Sequence, residues 1–88
     1  MERLARAVGV SRASLARRFG ARVGEPPMTY LTNWRLALAA DLLLEPEATV
    51  GWVAHQVGYG SPYALSTAFK RAYGRSPREH RTLTAAAV

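Results

Sequence analysis

Residues 53–61 read Val53-Ala54-His55-Gln56-Val57-Gly58-Tyr59-Gly60-Ser61, and Pro62 follows directly. Val53, Ala54 and Val57 stand at helical spacing ahead of Gly58, and Leu65 and Phe69 resume that spacing beyond Pro62. A glycine closes the first of these helices, while Ser61 and Pro62 supply an N-cap and a favoured first helical residue for the second. The stretch predicts two short helices joined by a tight turn. Gly74 then ends the second helix, and Pro77 prevents simple continuation.

The pattern occurs twice. Ala5, Val8 and Gly9 recur as Ala54, Val57 and Gly58, and Ser11, Leu15, Phe19, Gly24 and Pro27 recur as Ser61, Leu65, Phe69, Gly74 and Pro77. The one-residue slip falls in the turn, where Val10-Ser11 becomes Tyr59-Gly60-Ser61, a place where insertion costs little. The first copy then reads as a helix through Leu4, Ala5 and Val8, a turn at Gly9, and a second helix through Leu15, Phe19 and Val23. A helix-turn-helix needs a small residue where its helices cross, a glycine in the turn, and apolar residues that lock the second helix. Ala5, Gly9, Val10 and Leu15 meet those demands, and Ala54, Gly58, Tyr59 and Leu65 meet them again.

Between the copies, Tyr30, Leu31, Trp34, Leu38 and Leu42 mark a long connecting helix that ends before Glu45-Pro46, and Thr49 offers an N-cap for Val50 to Val57. The expected architecture is all-α, with about six helices. It comprises a helix-turn-helix unit over 1–27, a connecting helix over 28–45, a second unit over 46–81 and a frayed tail over 82–88. The second unit has an apolar helix ahead of it and the first has none. Leu4, Ala5 and Val8 are therefore expected to be less covered than Val53, Ala54 and Val57.

The chain has 88 residues with 12 Lys plus Arg against 6 Asp plus Glu, a net charge of +6 and a pI near 10.8. The charge is zoned: residues 1–24 carry a net of +5, residues 25–69 a net of −3, and residues 70–88 a net of +4. Such basic zones point to an anionic partner. A hydrophobic content of 49% excludes a disordered basic tail, and no apolar run approaches the roughly 20 residues of a bilayer crossing. With no secretory h-region in the first residues, the cytoplasm is the default compartment. The absence of cysteine, with His55 and His80 in separate segments, argues against a metal site, a cofactor or a catalytic centre. Asp41, Glu45 and Glu47 sit at a helix end and loop rather than in a polar cleft.

The run Val53 to Ser61, followed by Phe69-Lys70-Arg71, Gly74, Ser76-Pro77 and Arg81, resembles the signature of the AraC/XylS family of bacterial transcription regulators, with a likeness that extends from Met1 to Arg81. The resemblance implies two helix-turn-helix units joined by a long helix, each inserting one helix into successive major grooves of double-stranded DNA. It also implies a promoter-bound regulator, commonly an activator, with RNA polymerase as a candidate partner and an effector or dimerisation domain upstream that is absent from this chain. Two departures stand out. Tyr63-Ala64-Leu65-Ser66-Thr67 lacks the usual aromatic pair and places Thr67 where Arg is common. The family's domain also begins with a helix ahead of the first unit, and this chain starts at about the point where that helix ends.

At about 100° per residue, Leu15 and Phe19 share an arc that turns Ala13 and Arg17 outward; in the second copy Leu65 and Phe69 do the same for Tyr63 and Thr67. Arg17 is the leading base reader, since an arginine in the major groove can bond a guanine twice, with Arg12, Ala13 and Ala16 beside it. Tyr63, Ser66 and Thr67 are their counterparts. Ser11, Arg18, Ser61, Lys70, Arg71, Arg75, Arg78 and Arg81 are assigned to phosphates, which are reached from helix flanks and loops; the plainer alternative for these cations is a solvated basic face. Trp34, Phe19 and Phe69 read as core rather than stacking platforms, and Trp52 less clearly so. The competing function is a basic helical module that docks an acidic protein without reading DNA.

Overall fold

A computed structural model describes residues 2–19 and 28–86, with side chains except at 19, 29, 85 and 86. The described residues form five helices: α1 (Glu2–Phe19), α2 (Met28–Leu42), α3 (Val50–Val57), α4 (Pro62–Tyr73) and α5 (Pro77–Ala86). No strand occurs among the described residues.

α2 is the spine. Leu36, Leu38, Ala39 and Leu42 are buried along it, and α1, α3 and α4 pack against it. Leu4 and Leu15 of α1, Val53, Ala54 and Val57 of α3, and Leu65 and Phe69 of α4 fill the remaining core. Each fully buried Leu or Phe contributes about 1.5–3 kcal/mol relative to exposure. After Leu42 the chain tightens, with the Leu44 and Glu45 amides bonding the carbonyls of Asp41 and Leu42, so the helix stops short of the residue 45 boundary.

The second helix-turn-helix forms as its punctuation predicts. Thr49 caps α3, its Oγ1 accepting from the Trp52 amide at 3.0 Å. Gly58 adopts φ +87°, a left-handed conformation that costs other residues energy, and the Tyr59 amide bonds back to the Ala54 carbonyl at 2.8 Å. Ser61 Oγ accepts from the Ala64 amide at 3.1 Å to start α4, with Pro62 at its head. Gly74, at φ +76°, closes it.

The first unit differs. The turn expected at Gly9 is absent, and α1 runs unbroken from Glu2 to Phe19, so one helix replaces two. The cause lies at two positions of the repeat. Pro62, which cannot accept a helix running into it from Gly58, corresponds to Arg12, and Gly60 has no counterpart. Leu4, Val8, Ser11 and Leu15 also keep one face in phase across Gly9, so a single helix buries them together. Gly9 has no positive φ. Gly24 and Pro27, expected to end this unit, lie outside the described residues, as do Gly20, Arg22, Val23 and the Phe19 side chain.

The asymmetry of cover is partial. Ala5 is exposed and Val8 half-buried, whereas Val53, Ala54 and Val57 are buried; Leu4, however, is buried too. At the other end α5 extends through residues 82–86, where a frayed tail was expected. Ser76 and Glu79 form a reciprocal capping box: the Ser76 amide donates to Glu79 Oε1 at 2.8 Å and the Glu79 amide to Ser76 Oγ at 3.1 Å. Pro77 stands at the favoured first position.

Candidate nucleic-acid interface

α4 is divided lengthwise. Leu65 and Phe69 are wholly buried, while Tyr63 is 70% exposed and Thr67 is exposed beside half-buried Ser66. Where α3 begins and the first turns of α4 meet the start of α5, an open cleft of about 450 Å³ is lined by Val50, Pro62, Tyr63, Ser66, Ser76 and Arg78, among others. It joins two expected base readers, Tyr63 and Ser66, to an expected phosphate contact, Arg78. Ser61 spends an oxygen lone pair on the Ala64 amide, which leaves its hydroxyl proton available to an acceptor. Lys70 and Arg71 project from the last turn of α4 and form no ion pair with the described residues. That position also suits cations for a second reason, the negative end of the helix dipole.

On α1, Arg12, Ala13, Ala16 and Arg17 are exposed opposite wholly buried Leu15. Arg12 lies over the Trp34 ring, its Cζ 5.5 Å from the centroid, a cation–π contact that partly occupies it. Arg17 has no ion pair among the described residues. Ser11 is half-buried within the helix. Arg18 Nη2 sits 2.9 Å from Asp41 Oδ2, and Arg3 approaches Glu45 and Glu47 at 3.7 and 3.8 Å. The acidic middle of the sequence thus holds the basic first helix, through exposed pairs of about 0–1 kcal/mol each. Tyr73 lies close to the Arg18–Asp41 pair. Its phenol is pushed above its usual range by burial and then by the Asp41 carboxylate, with Arg18 opposing.

Two of the expected phosphate contacts are committed inside the fold. Arg81 donates through Nε to the Leu43 carbonyl at 2.7 Å and through Nη2 to that of Ala48, tying α5 to the segment after α2. Arg75 Nη2 lies 3.3 Å from His80 Nδ1, and its Nε is buried without a hydrogen-bond partner. His80 Nε2 is 3.2 Å from the Ala40 carbonyl, and its ring meets Phe69 edge-on at 5.3 Å. A carbonyl only accepts and a guanidinium only donates, so this geometry fits a neutral ring protonated on Nε2. His80 is thus a satisfied structural histidine, and His55 is exposed. Of the residues expected at phosphates, Arg81 thus has donors engaged by backbone carbonyls and Arg75 by a ring nitrogen.

One residue escaped the sequence reading. Arg35, on α2, donates through Nε to the Val57 carbonyl at 2.7 Å and through Nη2 to that of Gly58, with its Cζ 4.5 Å from the Tyr59 ring centroid. No local pattern announces a partner 22 residues away. Trp34 and Trp52 are half-buried against the core. Among the described residues no group of His, Cys, Asp and Glu could hold a metal ion, and no helix is long and apolar enough to cross a membrane.

Comparison with known proteins adds an independent line. A family model described as a helix-turn-helix domain matches residues 4–82. A protein of Streptomyces lividans described as an AraC-like transcription regulator is 54% identical over 78 residues, which cover 89% of this chain and 26% of that protein. Its counterpart in Streptomyces antibioticus is 53% identical over the same shares. The HTH-type transcriptional regulator AlkR of Acinetobacter baylyi is 40% identical over 81 residues, 92% of this chain and 26% of AlkR. The chain therefore spans about a quarter of the length of these relatives. No solved structure matches it.

Proposed function

The chain belongs to the AraC-type helix-turn-helix DNA-binding domains of transcription regulators and is not an enzyme; from that premise we propose that it recognises a specific double-stranded sequence with two helices in adjacent major grooves. α4 is one reading rod, through Tyr63, Ser66 and Thr67. The exposed face of α1 from Arg12 to Arg17 is the other, and Arg17 bonds a guanine. Lys70, Arg71, Arg78 and the hydroxyl of Ser61 hold phosphates, with Arg18 joining them if the duplex draws it from Asp41.

The observation that carries this reading is the division of α4: a polar, exposed face set against wholly buried Leu65 and Phe69, behind a fully capped turn and beside unpaired cations. Two grooves on one DNA face lie one helical turn apart, about 34 Å, and a mismatch with that spacing is absorbed by bending the duplex at a cost of a few kcal/mol. With Arg75 and Arg81 committed elsewhere and Arg18 paired, three unpaired cations remain for phosphates. The logarithm of the binding constant then falls against log salt with a slope of about −3. A mobility shift on duplex DNA titrated with salt tests this. No shift with any duplex, or binding indifferent to salt, would refute it and favour docking to a protein.

In the whole regulator we assign effector sensing or dimerisation to sequence outside these 88 residues. Activation through contact with RNA polymerase is the regulatory sense the family resemblance favours. A promoter reporter that loses expression when the protein is removed supports it, and one that gains expression refutes it.

A further inference from the structure

In the turn that aims α4 the Gly58 and Tyr59 amides bond back to the carbonyls of His55 and Ala54, and what the helix itself leaves open is its last carbonyls. Gly58 and Gly60 flank Tyr59, and a Cβ placed on Gly60 would meet nothing within 4 Å, so the chain there has the conformational freedom of two glycines. The carbonyls of Val57 and Gly58 at the end of α3 have no further helical amide to accept from. One guanidinium deals with all of this. Arg35 bonds both carbonyls and stacks on Tyr59, and so grips three successive residues of the turn from the spine helix behind it. Its positive charge also faces the negative end of α3. The fit is close, since a Cβ on Gly58 would lie 2.9 Å from Arg35 Nη2.

We propose that Arg35 is a positioning residue for DNA recognition, fixing the direction in which α4 leaves the turn without touching DNA itself. The inference rests on the reading of α4 as a groove-reading helix. A planar fork with fixed donor directions sets an angle, which a flexible ammonium on a four-carbon stem does not. Loss of the fork leaves α4 anchored by Leu65 and Phe69, so it stays folded on the core but samples a range of tilts. Because α1 is held to α2 separately, through Leu4 and Leu15 in the core and Asp41 at its far end, its reading face keeps its aim.

The test compares the native chain with Arg35→Lys on a duplex selected from a random pool, and on versions mismatched at bases under α4 or under α1. For the native chain each mismatch costs about 5- to 150-fold in affinity. For Arg35→Lys, melted separately to show that it is folded at the assay temperature, mismatches under α4 fall to about threefold or less while those under α1 keep their cost. If the variant is unfolded, Tyr59→Leu takes its place, because it keeps an apolar side chain and both hydrogen bonds but removes the stacking ring; a smaller loss confined to α4 positions is then expected. Undiminished α4 discrimination, or an equal loss under both helices, overturns the positioning role. A native chain indifferent to mismatches under α4 instead brings down the reading of α4 on which the inference stands.

Discussion

Gly9 and Gly58 occupy the same place in the repeat and opposite conformations in the structure, so alanine at each has opposite consequences. Gly9 lies inside α1 with no positive φ, and a Cβ there meets nothing within 4 Å. Gly9→Ala therefore gains the helix-propensity difference, about 1 kcal/mol, which for a domain of this size raises Tm by about 4–8 °C. Gly58→Ala forces a Cβ into the left-handed region, at about 1–2 kcal/mol. It also drives that Cβ to 2.9 Å from Arg35 Nη2. If the guanidinium withdraws from even one carbonyl, a charged hydrogen bond worth about 1.5–3 kcal/mol is lost. The sum is about 3 kcal/mol or more, a fall in Tm of about 12 °C or more. Thermal unfolding of both variants followed by far-UV circular dichroism measures the contrast. A Gly9→Ala variant that melts well below the native chain would show that the chain turns at Gly9 in solution, and the unbroken α1 would be wrong.

Arg17→Ala narrows discrimination at one base pair by about 1–3 kcal/mol, whereas Arg78→Ala weakens all duplexes alike and flattens the salt slope by about 0.9; binding titrations on matched and mismatched duplexes separate the two. Arg81→Met strands the carbonyls of Leu43 and Ala48 and lowers stability by about 1–3 kcal/mol per unsatisfied group in denaturant unfolding, yet leaves the salt slope unchanged; a flattened slope would return Arg81 to the phosphate set. Hydrogen bonds from the Ser76 amide and hydroxyl hold the Glu79 carboxyl below the usual carboxylate range. A depressed carboxyl contributes stability above its unfolded pKa and loses it as pH falls through the folded one. Acidification through the carboxylate range therefore loosens the start of α5, seen as faster amide exchange at Ser76, and Glu79→Gln reduces that pH dependence.

The second unit was legible because its signals are local. Thr49, Gly58, Ser61, Pro62 and Gly74 each act on the backbone within a few residues, and all five do in the structure what their chemistry suggests. The first unit repeats the apolar positions of that pattern without its punctuation. Without counterparts of Gly60 and Pro62 nothing forces a break, and an in-phase apolar face favours one helix. The Ser76–Glu79 capping box is present in the sequence as Ser-x-x-Glu with Pro77 between, and it marks the start of α5, whereas Thr82 to Val88 carries no apolar pattern that announces the helix's extension. The division of the arginines into exposed cations and internal struts was not available. Arg35, Arg75 and Arg81 look like any other basic residue until the fold brings carbonyls or a ring nitrogen to them.

Selection of bound duplexes from a random pool by the 88-residue chain tests the recognition itself. Two enriched blocks about ten base pairs apart, one of them losing its guanine preference in Arg17→Ala, is the predicted result. A pool that stays unenriched after repeated rounds would contradict specific DNA recognition, and a single block would contradict the use of two helices.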